Sequence, residues 1–282
     1  IIDEEVKKLL DAGVIERADS AWSSPVVIVK KPKGWRLCID YRKLNEITER
    51  AVWPMPPIPD ILSMLGGCGW FTALDISQGY HRIRIREEDR DKTAFIVPGH
   101  CGGALYQYKY MPFGLTNAPS TFQRFMGEVL NGTQSFSTVY IDDIIVFSKT
   151  WAEHIEHLKC VFAKLERANL VVRAPKSQLA CTELDYLGHR ITRHHITPLE
   201  KNVTAIKEFE RPTTKKAVRS FCGMANYYRD HIENFATLIS PLTDLTKGSV
   251  AKSVVNDWKE EQEQAFIRVK KALAEDCRLY YP

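Results

Sequence analysis

Residues 137–147 set two carboxylates between two runs of strand-forming residues. Ser137-Thr-Val-Tyr-Ile141 is apolar and strand-like, Ile144-Ile-Val-Phe147 is strand-like again, and only Asp142 and Asp143 separate them. Two residues between two β-type runs is the spacing of a tight hairpin. The flanking runs are rich enough in Ile, Val and Phe to be buried. Two adjacent carboxylates at such a tip incur desolvation and mutual repulsion. A bound divalent cation offsets both. A solvated Asp-Asp turn, for which the turn preference of aspartate suffices, is the alternative this stretch leaves open.

A second acidic position lies upstream. Phe71-Thr-Ala-Leu-Asp75 reads as a strand ending in an aspartate, followed by a bend at Gly79 and by Tyr80. His81-Arg-Ile-Arg-Ile-Arg86 alternates basic with apolar residues, the pattern of a half-exposed strand with a basic outer face. A lone aspartate at a strand end is ordinarily structural or solvated. Asp75 gains weight from the hairpin, because two-metal phosphoryl transfer needs carboxylates converging from separate strands.

At 282 residues, with 44% hydrophobic and 26% charged residues, the chain has ordinary globular composition and can bury a core in two or more lobes. No run of 18 apolar residues is present, so no membrane-spanning helix is expected. No secretory leader is read at the start, which enters an amphipathic helix directly. Seven cysteines, an odd number with no Cys-x-x-Cys, suggest reduced, buried thiols in a cytosolic setting. Net charge is +4, but residues 30–50 carry seven Lys/Arg against three Asp/Glu and residues 201–250 carry eight against five. Basic patches around an acidic centre fit a phosphate-rich partner.

Residues 3–12 read as a capped helix ended by Gly13, and residues 24–31 and 35–40 as strands joined by the Pro32-Lys-Gly34 turn. The proline-rich stretch 51–60 is a connector, with a short helix starting near Ile58. Asn117-Ala-Pro119 caps a helix whose Phe122, Phe125, Met126 and Val129 form a core stripe. Thr150-Trp-Ala-Glu153 and Thr197-Pro-Leu-Glu200 are capping-box patterns. The second opens an all-helical region, 198–210, 214–231 and 259–275, so a domain boundary is placed near 196. His154, His157 and Cys160 recur three apart on one helix. Three-residue steps fall about 60° short of a turn, so this is read as a solvated or half-buried face rather than a zinc site. His194-His195 reads as loop.

Six motifs then occur together: Trp35-Arg-Leu-Cys-Ile-Asp-Tyr-Arg-Lys-Leu-Asn45, Leu74-Asp-Ile-Ser-Gln-Gly-Tyr80, Met111-Pro-Phe-Gly-Leu-Thr-Asn-Ala-Pro119, Tyr140-Ile-Asp-Asp143, Tyr186-Leu-Gly-His189 and Phe221-Cys-Gly-Met-Ala-Asn-Tyr-Tyr-Arg229. In order and spacing they resemble the reverse transcriptases, and among them the gypsy class of LTR retrotransposons. Phe113 stands where retroviruses usually have Gln. The resemblance implies an α+β right-hand polymerase. Fingers would span 1–51 and 84–118, the palm, an antiparallel sheet with helices, 52–83 and 119–196, and a helical thumb 197–248. Residues 249–282 would begin a connection, and the chain looks like a polymerase piece of a larger polyprotein from a cytoplasmic retroelement particle.

The same resemblance implies a nucleotidyltransferase, an RNA-directed DNA polymerase that takes an RNA or DNA template with primer, dNTPs and Mg²⁺ or Mn²⁺. It makes Asp75 and Asp142 the metal ligands, with Asp143 beside them in a lesser role and the Ile76 carbonyl as a further oxygen. Lys31 and Arg36 would close on the triphosphate. Tyr80 would crowd a 2′-hydroxyl, Phe113 and Gly114 would line the same dNTP pocket, and Lys176 would protonate the leaving pyrophosphate, although Ser177 replaces a second lysine. Tyr140, Leu187, Gly188, Gly223, Asn226 and Tyr227 would contact template and primer. A nucleic-acid-binding module without polymerase activity, or a structural subunit of a homodimer, are the competing readings.

Overall fold

The computed structural model describes residues 1–31, 34–99, 103–248, 253–274 and 278–281, with the side chains of Lys31 and Tyr280 outside the described part. The chain divides into two compact units, Ile1–Pro57 with Thr72–Leu179, and Ile58–Phe71 with Ala180–Pro282. That division falls at 179/180 rather than near 196, where the composition turns helical. Four short strands past residue 183 form one sheet and account for the difference.

The strands, in chain order, are β1 (Ile15–Arg17), β2 (Ser24–Lys31), β3 (Gly34–Ile39), β4 (Trp70–Asp75), β5 (Phe95–Val97), β6 (Ala104–Tyr108), β7 (Ser137–Tyr140), β8 (Asp143–Ser148), β9 (Gln178–Cys181), β10 (Leu184–Tyr186), β11 (His189–Ile191), β12 (His195–Pro198) and β13 (Leu279–Tyr280).

In the first unit, one sheet has the order β1-β6-β5-β2-β3, antiparallel except where β2 meets β5. Its core gathers Val6, Ile15, Ile39, Tyr41, Phe95, Tyr106 and Tyr108. The buried Tyr41 hydroxyl is satisfied by donating to the Thr93 carbonyl at 2.8 Å. The β2–β3 ribbon is in register from Val26↔Ile39 to Lys31↔Gly34, which sets Arg36 opposite Val29.

The other sheet has the order β7-β8-β4-β9. The helices Ala118–Val129 and Trp151–Arg167 supply its core, where Phe122, Met126, Ile144, Val146 and Val161 are fully buried. The helical stripe expected from Phe122 to Val129 is this core. The Thr150–Glu153 capping box forms as read, each partner's side chain bonding the other's backbone. Asn117 precedes its helix but makes no side-chain cap. Its amide instead donates to the Glu49 carbonyl at 2.8 Å and accepts from the Ala51 N–H at 3.0 Å, pinning the start of the proline-rich connector.

His154 is wholly buried, not on a solvated or half-buried face. Its Nε2 lies 2.8 Å from the Thr72 hydroxyl on β4 and its Nδ1 2.9 Å from the Ser148 hydroxyl on β8. Either tautomer suits this pair, since a hydroxyl can donate or accept. His157 also reaches Ser148, at 2.8 Å, and stacks on Phe136.

In the second unit the sheet order is β10-β11-β12-β13. The helices Ile58–Ser63, Glu200–Lys207, Lys215–Tyr227, Phe235–Asp244 and Glu260–Ala274 accompany it. Phe221, Ala225, Leu242, Val254 and Val269 anchor the core.

Several local expectations are corrected. Thr197 lies in β12 opposite Arg190, and the helix after it is preceded by Leu199 with no side-chain cap, so the second capping box does not form. The next helix, Lys215–Tyr227, is the one with a side-chain cap, Thr214 accepting from the Ala217 N–H. The region after 196 is not purely helical, since β12 and β13 pair there and put His195 in a strand. Phe235–Asp244 is helical despite Pro241 in its interior. Residues 81–86 form no strand: Gly79–Arg82 is a 3₁₀ turn and only Arg84 bridges, to Tyr110. Of the described cysteines, all free, only Cys68 is buried and Cys160 is exposed; Cys101 and Cys277 lie outside the described residues. No helix among the described residues is long and apolar enough to cross a membrane.

The Thr72–His154–Ser148 network makes a stability prediction. Thr72→Val keeps the shape but leaves a buried ring nitrogen unpaired, a loss of about 1–3 kcal/mol that urea unfolding will register. Burial, then His157, holds the His154 pKa below the usual 6.5. A depressed imidazole contributes stability above the unfolded value that is lost as pH falls through it. The stability that depends on His154 should therefore be lost on acidification below about 6.5, so the gap in unfolding midpoint between wild type and His154→Phe should change over that range, with the Asp142 contribution of opposite sign common to both.

Candidate active site

The hairpin between β7 and β8 forms, one residue away from the position expected. Tyr140 pairs with Asp143, so the two turn residues are Ile141 and Asp142, and Asp143 opens β8. Ile141 adopts φ of 55°, a left-handed conformation unfavourable for a β-branched residue. Such strain costs on the order of 1–3 kcal/mol and persists only where the surroundings over-determine it. Gln123 does that. This side chain, 6% exposed, accepts from the Ile141 N–H at 2.7 Å and donates to the Val139 carbonyl at 2.9 Å. Sequence reading passed over Gln123. The available signal was an amide on the apolar stripe of its helix, between Phe122 and Met126.

Asp75 ends β4, the neighbour of β8 in the sheet. Its N–H donates to the Ser177 hydroxyl at 3.1 Å, and that hydroxyl donates to the Arg173 carbonyl at 3.0 Å. The residue that departs from the lysine pair thus fixes the backbone of the acidic position. Two cations approach the Asp75 carboxylate, Arg173 Nε at 3.8 Å and Lys176 Nζ at 3.9 Å. Lys176, 58% exposed, thus stands beside the acidic group, as does Arg173, which the motifs do not single out. Ile76 is buried and bridges to Val172.

The three carboxylates feel one another. The Asp142 pKa is raised to about 6, by burial first, then by the charges of Asp143 and Asp75. Asp143 is raised by burial and by Asp75. The Oδ1 of Asp142 is buried without a hydrogen-bond partner. A buried acceptor left unpaired is costly, and this one is also an anion, so a cation suits it. Among the described residues no three His, Cys, Asp or Glu side chains enclose a single ion. That is compatible with Mg²⁺, which is usually held by one or two carboxylates together with water and substrate phosphate rather than by an all-protein cage.

Tyr80, 7% exposed, sits in the turn after Asp75 with its ring 4.9 Å from Phe113 and 5.0 Å from Phe122. Burial and the Asp142 charge push its hydroxyl up to about 12, so it is a neutral donor. It belongs to the core and faces the acidic centre. Gly79 permits this, because a Cβ there would meet the Phe122 ring at 2.5 Å. Phe113 is 52% exposed. Gly114, at φ of 95°, has its carbonyl bonded by the Asn45 amide at 2.8 Å. Arg36 is exposed on β3, while the side chain of Lys31, and Pro32 and Lys33 of the turn, lie outside the described residues. Tyr140 is half-buried on β7.

The remaining expected residues lie in the second unit. Leu187 and Gly188 form the turn between β10 and β11 with φ of 42° and 74°. Tyr227 donates to the Leu187 carbonyl at 2.7 Å and Tyr228 to the Gly188 carbonyl at 3.0 Å. A Cβ on Gly188 would lie 3.2 Å from both tyrosines. The glycine is thus required by packing within the protein, whatever else approaches it. His189, pushed down to about 4 mainly by burial, stacks on Tyr227 and bonds the Leu187 carbonyl. Gly223, Asn226 and Tyr227 share an exposed helix face, and nothing lies within 4 Å of the Cβ position of Gly223.

Repelling carboxylates on a hairpin and a neighbouring strand end, with two cations and an aromatic ring nearby, make an arrangement that a divalent cation would relieve. Residues 28–191 match the model of the reverse transcriptase (RNA-dependent DNA polymerase) family. The chain belongs to that family. It is 38% identical over its whole length to the retrovirus-related Pol polyprotein from transposon 297 and 39% to that from transposon gypsy, both of Drosophila melanogaster. It spans 26% and 28% of the lengths of those polyproteins. Among the solved structures that the chain resembles are those of the foamy viral protease-reverse transcriptase. The dRH form in complex with double-stranded DNA gives a TM-score of 0.85 at 27% identity, covering 96% of this chain and 47% of that one. The complex with RNA/DNA hybrid gives 0.82 at 26%, covering 97% and 36%. The α+β polymerase fold expected from the motifs is the fold observed.

The electrostatics of the centre can be read directly. In metal-free protein, carbon-detected NMR should show the Asp142 carboxyl titrating near 6. Asp75→Asn should lower that midpoint, because it removes one repelling charge. An Asp142 midpoint at the ordinary value of about 4 would contradict the geometry.

Proposed function

We propose that this chain is the polymerase portion of a reverse transcriptase, extending a primer 3′-end with dNTPs on an RNA or DNA template by a two-metal-ion mechanism. The observation that carries the reading is the buried, unpaired Asp142 oxygen in a strained turn beside two further carboxylates. Asp75 and Asp142 hold the divalent ions, Mg²⁺ or Mn²⁺, with Asp143 in a lesser role and the Ile76 carbonyl as an added oxygen. Bound there, the ions stabilise charge on the attacking and leaving oxygens. Arg36 and Lys31 hold the triphosphate, Arg36 as a bidentate fork and Lys31 as a point charge. Lys176 gives a proton to departing pyrophosphate, a role supported by its Nζ lying 3.9 Å from the Asp75 carboxylate.

Tyr80, Phe113 and Gly114 form the sugar wall. Tyr80 is braced by Phe122 behind it, so its ring yields little to a 2′-hydroxyl, and a rigid clash rejects the wrong sugar. Tyr140, Leu187 and Gly188 meet the primer, and the exposed Gly223, Asn226 and Tyr227 meet sugar and backbone of the duplex without reading sequence. The duplexes bound to the foamy viral relatives support this assignment. A retroelement particle belongs to the same reading and rests on the resemblance; a structural subunit, one copy supporting another in a homodimer, is the competing reading, and loss of extension in the wild type would favour it.

Asp142→Asn keeps the shape and removes a metal ligand. Primer extension should fall more than about a hundredfold, since metal-centred stabilisation is worth several kcal/mol, while duplex affinity measured by filter binding stays near wild type. Near-normal extension by this variant would sink the assignment.

Gln123→Leu deletes both bonds to the hairpin. A misplacement of about 1 Å can cost about a hundredfold, so extension should fall between tenfold and a hundredfold. The loss should appear in kcat rather than in the KM for dNTP. Gln123→Glu, which retains the acceptor for Ile141, should fall less. Equal loss for both variants would assign Gln123 to core stability alone.

A further inference from the structure

A basic cavity of about 360 Å³ opens in the first unit, lined by Gln78, His81, Arg82, Arg84, Tyr110 and Asn169 together with three small apolar residues. Its size lies within the range of small-ligand pockets. No carboxylate lines it. Arg82, half-buried, and Arg84, exposed, have no ion-pair partner among the described residues. Nearby arginines behave otherwise: Arg86 pairs with Glu88, and Arg90 with Glu16 and Glu87. Lys109 does not line the cavity, but its Nζ lies 3.9 Å from the Cβ position of Gly13, between the lining residues Ala12 and Val14.

A second, independent feature points the same way. The Nδ1 of His81 is buried with no hydrogen-bond partner. His81 cannot relieve this by turning freely, because its ring packs 5.6 Å from Phe113 and 6.3 Å from Tyr108. Burial and the Arg82 charge both disfavour its protonation. An anion bound beside the ring would oppose that effect and accept a hydrogen bond from Nδ1–H. Two guanidinium groups without a carboxylate partner, that of Arg84 lying 6.0 Å from the Tyr110 ring centroid, stand beside an unsatisfied imidazole and the neutral donors Gln78, Tyr110 and Asn169, and together match the many acceptor oxygens of linked phosphates better than a single carboxylate.

We propose that this cavity binds a di- or triphosphate group, without divalent metal, at a site separate from the carboxylate centre. The ring of His81 would then be fixed against Phe113, and Phe113 against Tyr80. An occupant would therefore stiffen one wall of the proposed sugar pocket. The shared chemistry has two sources, free pyrophosphate or the polyphosphate tail of a nucleotide.

The test is isothermal titration calorimetry of the full chain in EDTA, with pyrophosphate, tripolyphosphate and ATP as separate titrants. Without metal the three aspartates repel a polyanion, so binding there is suppressed and the proposed catalytic role is not being measured. The wild type should bind pyrophosphate. Arg82→Gln with Arg84→Gln should weaken it at least tenfold, and His81→Phe, which keeps the ring packing, should weaken it severalfold. Asp142→Asn should bind as well as wild type or better. ATP tighter than tripolyphosphate identifies a nucleotide as occupant, and equal or weaker ATP identifies free polyphosphate. Absence of binding to the wild type at millimolar titrant overturns the proposal. So does a loss caused by Arg36→Gln that the His81 and Arg82/Arg84 variants do not share, since the anion would then sit on the finger ribbon.

Discussion

The backbone turn at Ile141-Asp142 is the constraint from which the rest of the centre follows. A left-handed β-branched residue and a desolvated carboxylate sit side by side, and both are unfavourable. Neither would survive at a free loop tip. The turn is held because its strands are buried on both sides, with Ile144, Ile145 and Val146 fully excluded from solvent, and because one amide spans it. Gln123 satisfies a donor and an acceptor at once, so the helix that carries it fixes the height of the tip above the sheet. Local strain is thus maintained by global packing, and the carboxylate ends up where repulsion can be relieved by a cation.

The same logic extends to β4. Asp75 is positioned through its backbone rather than its side chain. Ser177 takes its N–H, and the Asp75 carbonyl receives the Arg173 N–H at 2.8 Å. That leaves the carboxylate free to exchange partners between Arg173, Lys176 and a metal. The two cations stand at 3.8 and 3.9 Å, beyond a direct hydrogen bond, and partly solvated pairs of this kind contribute little. Such weak pairs let the carboxylate exchange one cation for another more readily than a tight bidentate pair would.

How far the sequence could be read depends on the range of the interactions involved. The carboxylates, the strands around them and the core stripe of Phe122 and Met126 were legible because they depend on residue type and short spacing. The hairpin register was missed by one residue. The turn preference of aspartate favours Asp142-Asp143 at the tip, and only Gln123, nearly twenty positions away, shifts the turn onto Ile141. Residues 81–86 alternate like a strand, yet only one bridge forms, because Gly79–Arg82 is wound into a 3₁₀ turn that buries Tyr80. Thr197 and Glu200 have the letters of a capping box, but Thr197 is already committed to pairing with Arg190. Helical spacing alone puts His154 on a solvated or half-buried face. Its burial is decided by Thr72 and Ser148 on two strands that the spacing does not see.

Gly188 shows why matching a motif and explaining it are separate steps. The motif suggests a glycine that lets a primer come close. Within the protein, the space a side chain would need is already occupied by Tyr227 and Tyr228, and φ is 74°. Their hydroxyls bond the carbonyls of Leu187 and Gly188, and Asn202 donates to Tyr228 at 2.6 Å. A turn with two left-handed residues is therefore clamped from the helix that also carries Gly223 and Asn226. The clamp gives the Tyr227 hydroxyl an internal partner, so its contact with a duplex would be made by its exposed ring edge rather than its oxygen. Two residues assigned to one external role thus acquire a prior internal one, and the internal role explains their chemistry without any ligand. The external role is left resting on what the clamp does not use: the open space over Gly223 and the exposed amide of Asn226.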